Sequence, residues 1–255
     1  MGILNMTSDS FSQDGLADQP EAAVEQALRM EAEGADIIDV GGMSTRPGHE
    51  EVPTAEELDR VLSVLPELVR RLSVPVSVDT YRYEVADAAL RAGASAINDI
   101  WGLQREPGLA ELAAQSGALL FLMHNQEGTE YRDLVPDVVE SLRDSVARAE
   151  VAGLSREQLV IDPGIGFGKT AEQNLEMLAR LAELRVLGLP ILLGTSRKST
   201  IGRVLGTEVD DRLEGTAATV ALGIGAGADM VRVHDVRQMA RVAAMSDAIV
   251  RRVPA

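Results

Sequence analysis

Eight short apolar runs in this chain each end on residues able to do chemistry: Asn5, Asp39 before Gly41-Gly42, Asp79, Asn98 with Asp99, His124, Asp162, Ser196-Arg197-Lys198, and Arg232 with His234. Asp79, Asn98 and Asp162 form one kind of set. Two acceptors and one mixed donor and acceptor, each closing a near-continuous apolar run, can clamp the N–H and C=O edge of a heterocycle, where a mismatched analogue leaves buried groups unpaired. A capping or salt-bridged carboxylate is the competing account of any one of them. Met123 and Phe167 lie near enough in sequence to pack on a ring face, a role they share with ordinary core residues. The cations form a second set. Arg232 and His234 stand two apart and share one side of a strand, Arg197 and Lys198 share a loop, and Met43-Ser-Thr-Arg-Pro-Gly48 adds Thr45 and Arg46, which suit phosphate oxygens. The chain carries 24 Lys and Arg against 40 Asp and Glu, a net charge of −16. Local cations against that background imply an anionic ligand.

The same charge balance opposes nucleic acid and anionic membrane surfaces. There is no cysteine, and the three histidines, His49, His124 and His234, form no metal-binding pair, so neither disulfides nor a zinc site is expected. No apolar run approaches the roughly 18 residues of a membrane span, and the first residues show no basic segment before an apolar one; a cytoplasmic protein is expected. Asp162-Pro-Gly-Ile-Gly-Phe-Gly-Lys-Thr170 ends like a nucleotide phosphate loop, but Pro163 stands where that loop needs its first glycine. Proline has no N–H to give a phosphate, so an NTPase is not expected.

The elements that must position these residues follow one repeating pattern: an Ala-rich amphipathic stretch, a glycine, then a short β-branched run. The glycines are Gly34, Gly93, Gly117, Gly188 and Gly227, each suited to the left-handed position after a helix. Three more strands are expected at Gly2–Asn5, Pro75–Thr80 and Leu159–Gly164. Capping boxes at Thr54–Glu57, Ser155–Gln158 and Thr170–Gln173 mark helix starts. With aromatics at only 3%, the core must be Ala, Leu, Val and Ile, as helices packed on a parallel sheet require. Eight strands, each followed by a helix and with no linker between, predict an α/β fold: one closed (β/α)8 TIM barrel over residues 1–255. Its active face is the C-terminal strand ends, where the polar set lies.

Seven motifs in order, Gly2-Ile-Leu-Asn-Met-Thr-Ser-Asp-Ser-Phe-Ser, Asp39-Val-Gly-Gly-Met-Ser-Thr-Arg-Pro-Gly, Ser77-Val-Asp-Thr, Ile97-Asn-Asp-Ile, Ile161-Asp-Pro-Gly-Ile-Gly-Phe-Gly-Lys, Thr195-Ser-Arg-Lys-Ser and Arg232-Val-His-Asp, resemble the dihydropteroate synthase family across nearly the whole chain. The resemblance implies a pterin-binding barrel of folate biosynthesis. Such an enzyme joins 6-hydroxymethyl-7,8-dihydropterin diphosphate to 4-aminobenzoate with Mg²⁺, releasing pyrophosphate and 7,8-dihydropteroate, and works as a homodimer. Carried over, Asp79, Asn98, Asp162 and Lys198 match the pterin-holding, catalytic residues, with Met123 and Phe167 beside them. Asn5, Thr45, Arg46, Arg232 and His234 match the diphosphate site, Asn5 being the expected Mg²⁺ contact. Phe11, Arg197 and Ser199 match the 4-aminobenzoate region.

Two loop residues depart from the family pattern: Ser8 stands where the family usually has Pro, and Met43 where it usually has Glu. The family's segment ahead of the first strand is also expected to be missing. Ser8 frees φ and restores an N–H, and Met43 removes a charge, so reduced sensitivity to sulfonamides, which mimic 4-aminobenzoate, is an expectation, with neutral drift as its competitor. A pterin-dependent methyltransferase and a non-catalytic pterin-binding paralogue are the alternative functions; the first has no need of a diphosphate site at Ser196–Ser199, Arg232 and His234.

Overall fold

The structure is a computed structural model and describes residues 1–7, 16, 19–43 and 52–252. All eight expected strands form. Six run parallel in sequence order, β1 (Gly2–Asn5), β2 (Ile38–Gly41), β3 (Val76–Asp79), β4 (Ala96–Asp99), β5 (Leu119–Met123) and β6 (Leu159–Asp162), and β7 (Leu192–Leu193) pairs with β8 (Met230–Val231). Two seams close the ring. Ile161 bridges to Ile191, and Gly2 bridges to Val233, with the Ile3 N–H on the Val233 carbonyl at 3.0 Å. The result is a closed eight-stranded barrel.

Strand alternation sorts the apolar residues into separate clusters. Leu4, Ile38, Val40, Val76, Val78, Ile97, Leu120, Leu122, Ile161, Leu193 and Val233 face outward into the main core beneath the helices. Met1, Ile37, Ala96, Phe121, Val160 and Leu192 face inward and plug the end of the lumen where the strands begin. The next inward positions are Asp39, Ser77, Asp79, Asn98, Asp162 and Arg232, so the same alternation that buries the plug delivers the polar set to the opposite end.

The five repeat glycines all have positive φ, between 64° and 107°. The helices depart from a strict one-per-strand count. After β2 come α1′s successors rather than one helix: with α1 at Pro20–Ala32, the segment holds α2 (Thr54–Leu62) and α3 (Leu65–Arg71). Pro66 lacks the N–H that a continuous helix would give Leu62. The remaining helices are α4 (Tyr83–Arg91), α5 (Gly108–Ser116), α6 (Leu134–Val151), α7 (Ala171–Ala179), α8 (Ser199–Leu205), α9 (Leu213–Gly225) and α10 (Val236–Val250). Gly206, at φ 70°, ends α8 and separates it from α9. The Thr170–Gln173 capping box forms in both directions, at 2.8 and 3.2 Å. Ser155–Gln158 caps only a single 3-10 turn. The Thr54–Glu57 box does not form: Pro53 takes the cap position, Thr54 is already helical, and Glu57 turns inward, fully buried, to accept from Thr80 Oγ1 at 2.7 Å and pair with Arg82 at 2.9 Å.

Candidate active site

The floor of the mouth is a network on three strands, β2, β3 and β4, and the segment after β8. Asp39 at the bottom accepts from Ser77 Oγ at 2.5 Å on Oδ1, and from Asn98 Nδ2 at 3.0 Å and Arg232 Nε at 2.6 Å on Oδ2. Arg232 Nη2 reaches across to Asp79 Oδ2 at 2.6 Å. The other Asp79 oxygen, Oδ1, is buried and has no hydrogen-bond partner among the described residues. Burial pushes the Asp79 carboxyl up to about 7; Arg232 opposes that rise, and the Asp39 carboxylate adds to it. Asp39 was legible as a strand-end acid, but its role as the hub that holds Asn98 and Arg232 was not.

On the far side of the mouth, Asp162 Oδ1 accepts the Gly164 N–H at 2.7 Å. Burial raises its carboxyl, and that N–H opposes the rise. Phe167 and Met123 do meet, in a small apolar cluster with Met43, Tyr81, Ile100 and Trp101 at the mouth, and Lys198 Nζ lies 4.2 Å from the centre of the Phe167 ring. The glycine-rich loop is pinned from beneath by a residue whose structural role the sequence did not reveal. Lys169 Nζ contacts His124 Nδ1 at 2.9 Å and donates to the carbonyls of Gly164 and Phe167, both at 3.1 Å. Burial pushes Lys169 down to about 7 and, helped by Lys169, His124 down to about 3. His124 is therefore a neutral partner of Lys169 at pH 7. Gly164 has φ 70°, and a β-carbon there would overlap the His124 carbonyl oxygen, so the loop closes this tightly only with glycine. Lys169 faces the loop interior and cannot serve a nucleotide phosphate.

The cation set is more committed than its sequence suggests. Arg232, expected at the diphosphate site, is shared by two carboxylates, although a guanidinium with five N–H donors keeps three after these bonds. Arg197, in the left-handed region at φ 54°, forks onto Asp235 at 2.6 and 3.0 Å. His234 is oriented by Ser196: the hydroxyl accepts the His234 backbone N–H at 3.1 Å and lies 2.9 Å from Nδ1. With its lone pair engaged by the backbone, the hydroxyl can give its hydrogen to Nδ1, which leaves Nε2 as the N–H donor. Ser199 is exposed at the first position of α8, and Asn5 is partly exposed at the end of β1. Asp99 does not join the mouth. Its carboxylate accepts from the Trp101 and Leu103 N–H groups at 2.9 and 2.6 Å and braces a turn in which Leu103 has φ 64°. Ser8, Phe11, Thr45 and Arg46 lie outside the described residues.

The family model for pterin binding enzymes matches residues 1–234. A dihydropteroate synthase of Clostridium beijerinckii is 49% identical over 253 residues, covering 99% of this chain and 94% of that protein. The crystal structure of the Clostridium difficile dihydropteroate synthase in the presence of pteroic acid superposes with a TM-score of 0.94 at 49% identity, covering 98% of this chain and 96% of that one. The Xanthomonas albilineans enzyme with 4-aminobenzoic acid superposes with a TM-score of 0.93 at 42% identity, covering 100% and 93%. The chain belongs to the pterin binding enzymes and, within them, to the dihydropteroate synthases, transferases of folate biosynthesis.

Proposed function

We propose that this chain condenses 6-hydroxymethyl-7,8-dihydropterin diphosphate with 4-aminobenzoate, releasing pyrophosphate, with the pterin seated on Asp79, Asn98, Asp162 and Lys198. The observation that carries the assignment to these residues is the buried, unpartnered Asp79 Oδ1 beside an oxygen already held by Arg232. A buried acceptor without a donor costs about 1–3 kcal/mol, and a ring N–H placed there recovers it. Met123 and Phe167 cover a ring face from the apolar cluster, and Lys198 supplies a cation at its edge. Diphosphate leaves toward His234, Arg232 and Asn5, with Thr45 and Arg46 as the further phosphate contacts that the family pattern implies. The electron-rich pterin spreads the positive charge left on its methylene, and the neutral arylamine, bound by Arg197 and Ser199 and in the family pattern also by Phe11, attacks the methylene and then gives its extra proton to solvent.

Among the described residues no three acidic or histidine side chains gather to cage a metal ion. Asn5 offers a hard amide oxygen at the rim, which fits Mg²⁺ held by one protein ligand, water and diphosphate oxygens. Bound there, the ion would offset the charge that develops on the departing diphosphate. Pyrophosphate release should require Mg²⁺, the pterin diphosphate and 4-aminobenzoate together. Equal steady-state release without the arylamine would make the activity a hydrolysis and overturn the assignment.

The homodimer that the family resemblance implies is assigned to the face of α8, α9 and α10. Val204, Leu205, Leu222, Met245 and Ile249 are exposed there, and α9, Leu-Glu-Gly-Thr-Ala-Ala-Thr-Val-Ala-Leu-Gly-Ile-Gly, is apolar almost all round, which calls for cover on both sides. Leu222→Asp with Ile249→Asp should halve the mass seen by sedimentation equilibrium; an unchanged mass would place the dimer elsewhere or remove it. No helix among the described residues is long and apolar enough to cross a membrane, which supports a cytoplasmic site of action for a folate-pathway transferase.

A further inference from the structure

We propose that Asp39, which touches no ligand, is a positioning residue that sets the hydrogen-bond polarity of the pocket floor, so that the floor admits a heterocycle edge presenting N–H donors and rejects one presenting acceptors. The inference rests on the pterin reading of the site and concerns how that site chooses its ligand. In the barrel register Asp39 lies opposite Ser77, while Asp79 lies opposite Asn98 two residues farther along the strands. Asp39 is therefore one inward layer below the ligand-facing pair, and it has no accessible surface.

A carboxylate can only accept. Asp39 Oδ2 therefore takes one N–H of the Asn98 amide, at 3.0 Å, and turns the Asn98 carbonyl oxygen toward the ligand side. The same oxygen holds Arg232 Nε at 2.6 Å, and the rigid guanidinium then places Nη2 on Asp79 Oδ2, which leaves Oδ1 as the open acceptor. Ser77 fixes Asp39 itself through Oδ1. One buried carboxylate thus aims an acceptor of each floor residue at the ligand side. An isolated strand-end acid next to Asn98 would allow the amide either orientation, and the floor would not discriminate.

The charged groups around Asp79 are Arg232 from the segment after β8, Asp39 from β2, Glu57 from α2 and Lys198 from the turn after β7. The Asp39 charge works to raise the Asp79 carboxyl, which gives the test a readout that packing alone would not move. Asp39→Ala removes the single oxygen that Asn98 Nδ2 and Arg232 Nε share, so both lose their fixed orientation. Turnover of the wild-type enzyme with both substrates is measured first and tests the pterin reading. The selectivity between the pterin diphosphate and its analogue lacking the 2-amino group then tests Asp39. In Asp39→Ala the selectivity should fall about tenfold, the worth of one buried hydrogen bond, with KM for the pterin substrate rising more than kcat falls. The acid limb of kcat/KM should also move to lower pH. Ser77→Ala keeps the charge and loosens only the orientation, so its selectivity should fall by less while its acid limb stays in place. If Asp39→Ala does not fold, Ser77→Ala decides by itself. Wild-type selectivity in the variants that fold would overturn the proposal.

Discussion

The two ends of the barrel lumen are built from the same strands by the same alternation and have opposite chemistry. Where the strands begin, Met1, Ile37, Ala96, Phe121, Val160 and Leu192 close the barrel as an apolar plug. Two or three residues later, Asp39, Asp79, Asp162 and Arg232 bring three carboxylates and one guanidinium into the same lumen. The plug gains from transfer out of water at every position. The polar end carries desolvation costs that its own pairs offset only in part, as the raised Asp79 and Asp162 carboxyls record. Strand sequence therefore separates a layer that stabilises the barrel from a layer held in readiness for a ligand.

The largest effect should come from Arg232→Ala, which removes the only cation bonded to both Asp39 and Asp79 among the described residues. Loss of one partner of a buried ion pair costs about 3–5 kcal/mol. Urea denaturation should show that loss, and pterin binding should weaken together with diphosphate binding. This differs from a residue serving diphosphate alone, because Arg232 also holds Asp39 and Asp79. A variant that lost diphosphate affinity with full stability would break the comparison at its polar end.

At the other end, Leu192→Ala should cost about 3 kcal/mol through lost transfer energy and a residual cavity, with kcat/KM per folded molecule unchanged. A matching fall in kcat/KM would show that the two layers are mechanically coupled.

The pH response should sharpen the contrast further. Burial pushes the folded Asp79 carboxyl up to about 7, against 3.8 for a free aspartate, so between those values the native chain binds the additional proton. Its contribution to stability is greatest at low pH and is lost as pH rises toward 7, whereas ligand acceptance by an ionised Asp79 gains over the upper part of the same interval. Asp79→Asn should remove this limb of kcat/KM and flatten the corresponding slope of unfolding free energy against pH. A wild-type pH profile in that variant would assign the limb to another group.

The smallest effect is expected in the mouth. Met43 is buried against Tyr81, Ile100 and Met123, while Ser8 lies outside the described residues. The ratio of the sulfonamide inhibition constant to the 4-aminobenzoate Michaelis constant should fall in Ser8→Pro/Met43→Glu relative to wild type. An unchanged ratio would assign both residues to drift.

The sequence by itself determined the strands and the ligand-bearing ends. Strand alternation is a local rule, and a run such as Pro75-Val-Ser-Val-Asp announces both its core face and its functional end. The repeat glycines are equally local, since a positive φ after a helix is a steric requirement that few other residues meet. Helix boundaries were less legible: Thr54 looked like a cap until Pro53 took that position and Glu57 found Thr80 and Arg82, partners 23 and 25 residues away. The pairings of the site were decided only by the tertiary structure. Asp39 and Arg232 are 193 residues apart, and Lys169 lies 45 residues from His124. Nothing in the local pattern distinguishes a strand-end acid that faces a ligand from one that orients its neighbours, because the difference arises when barrel closure decides which buried donors reach which carboxylate oxygen.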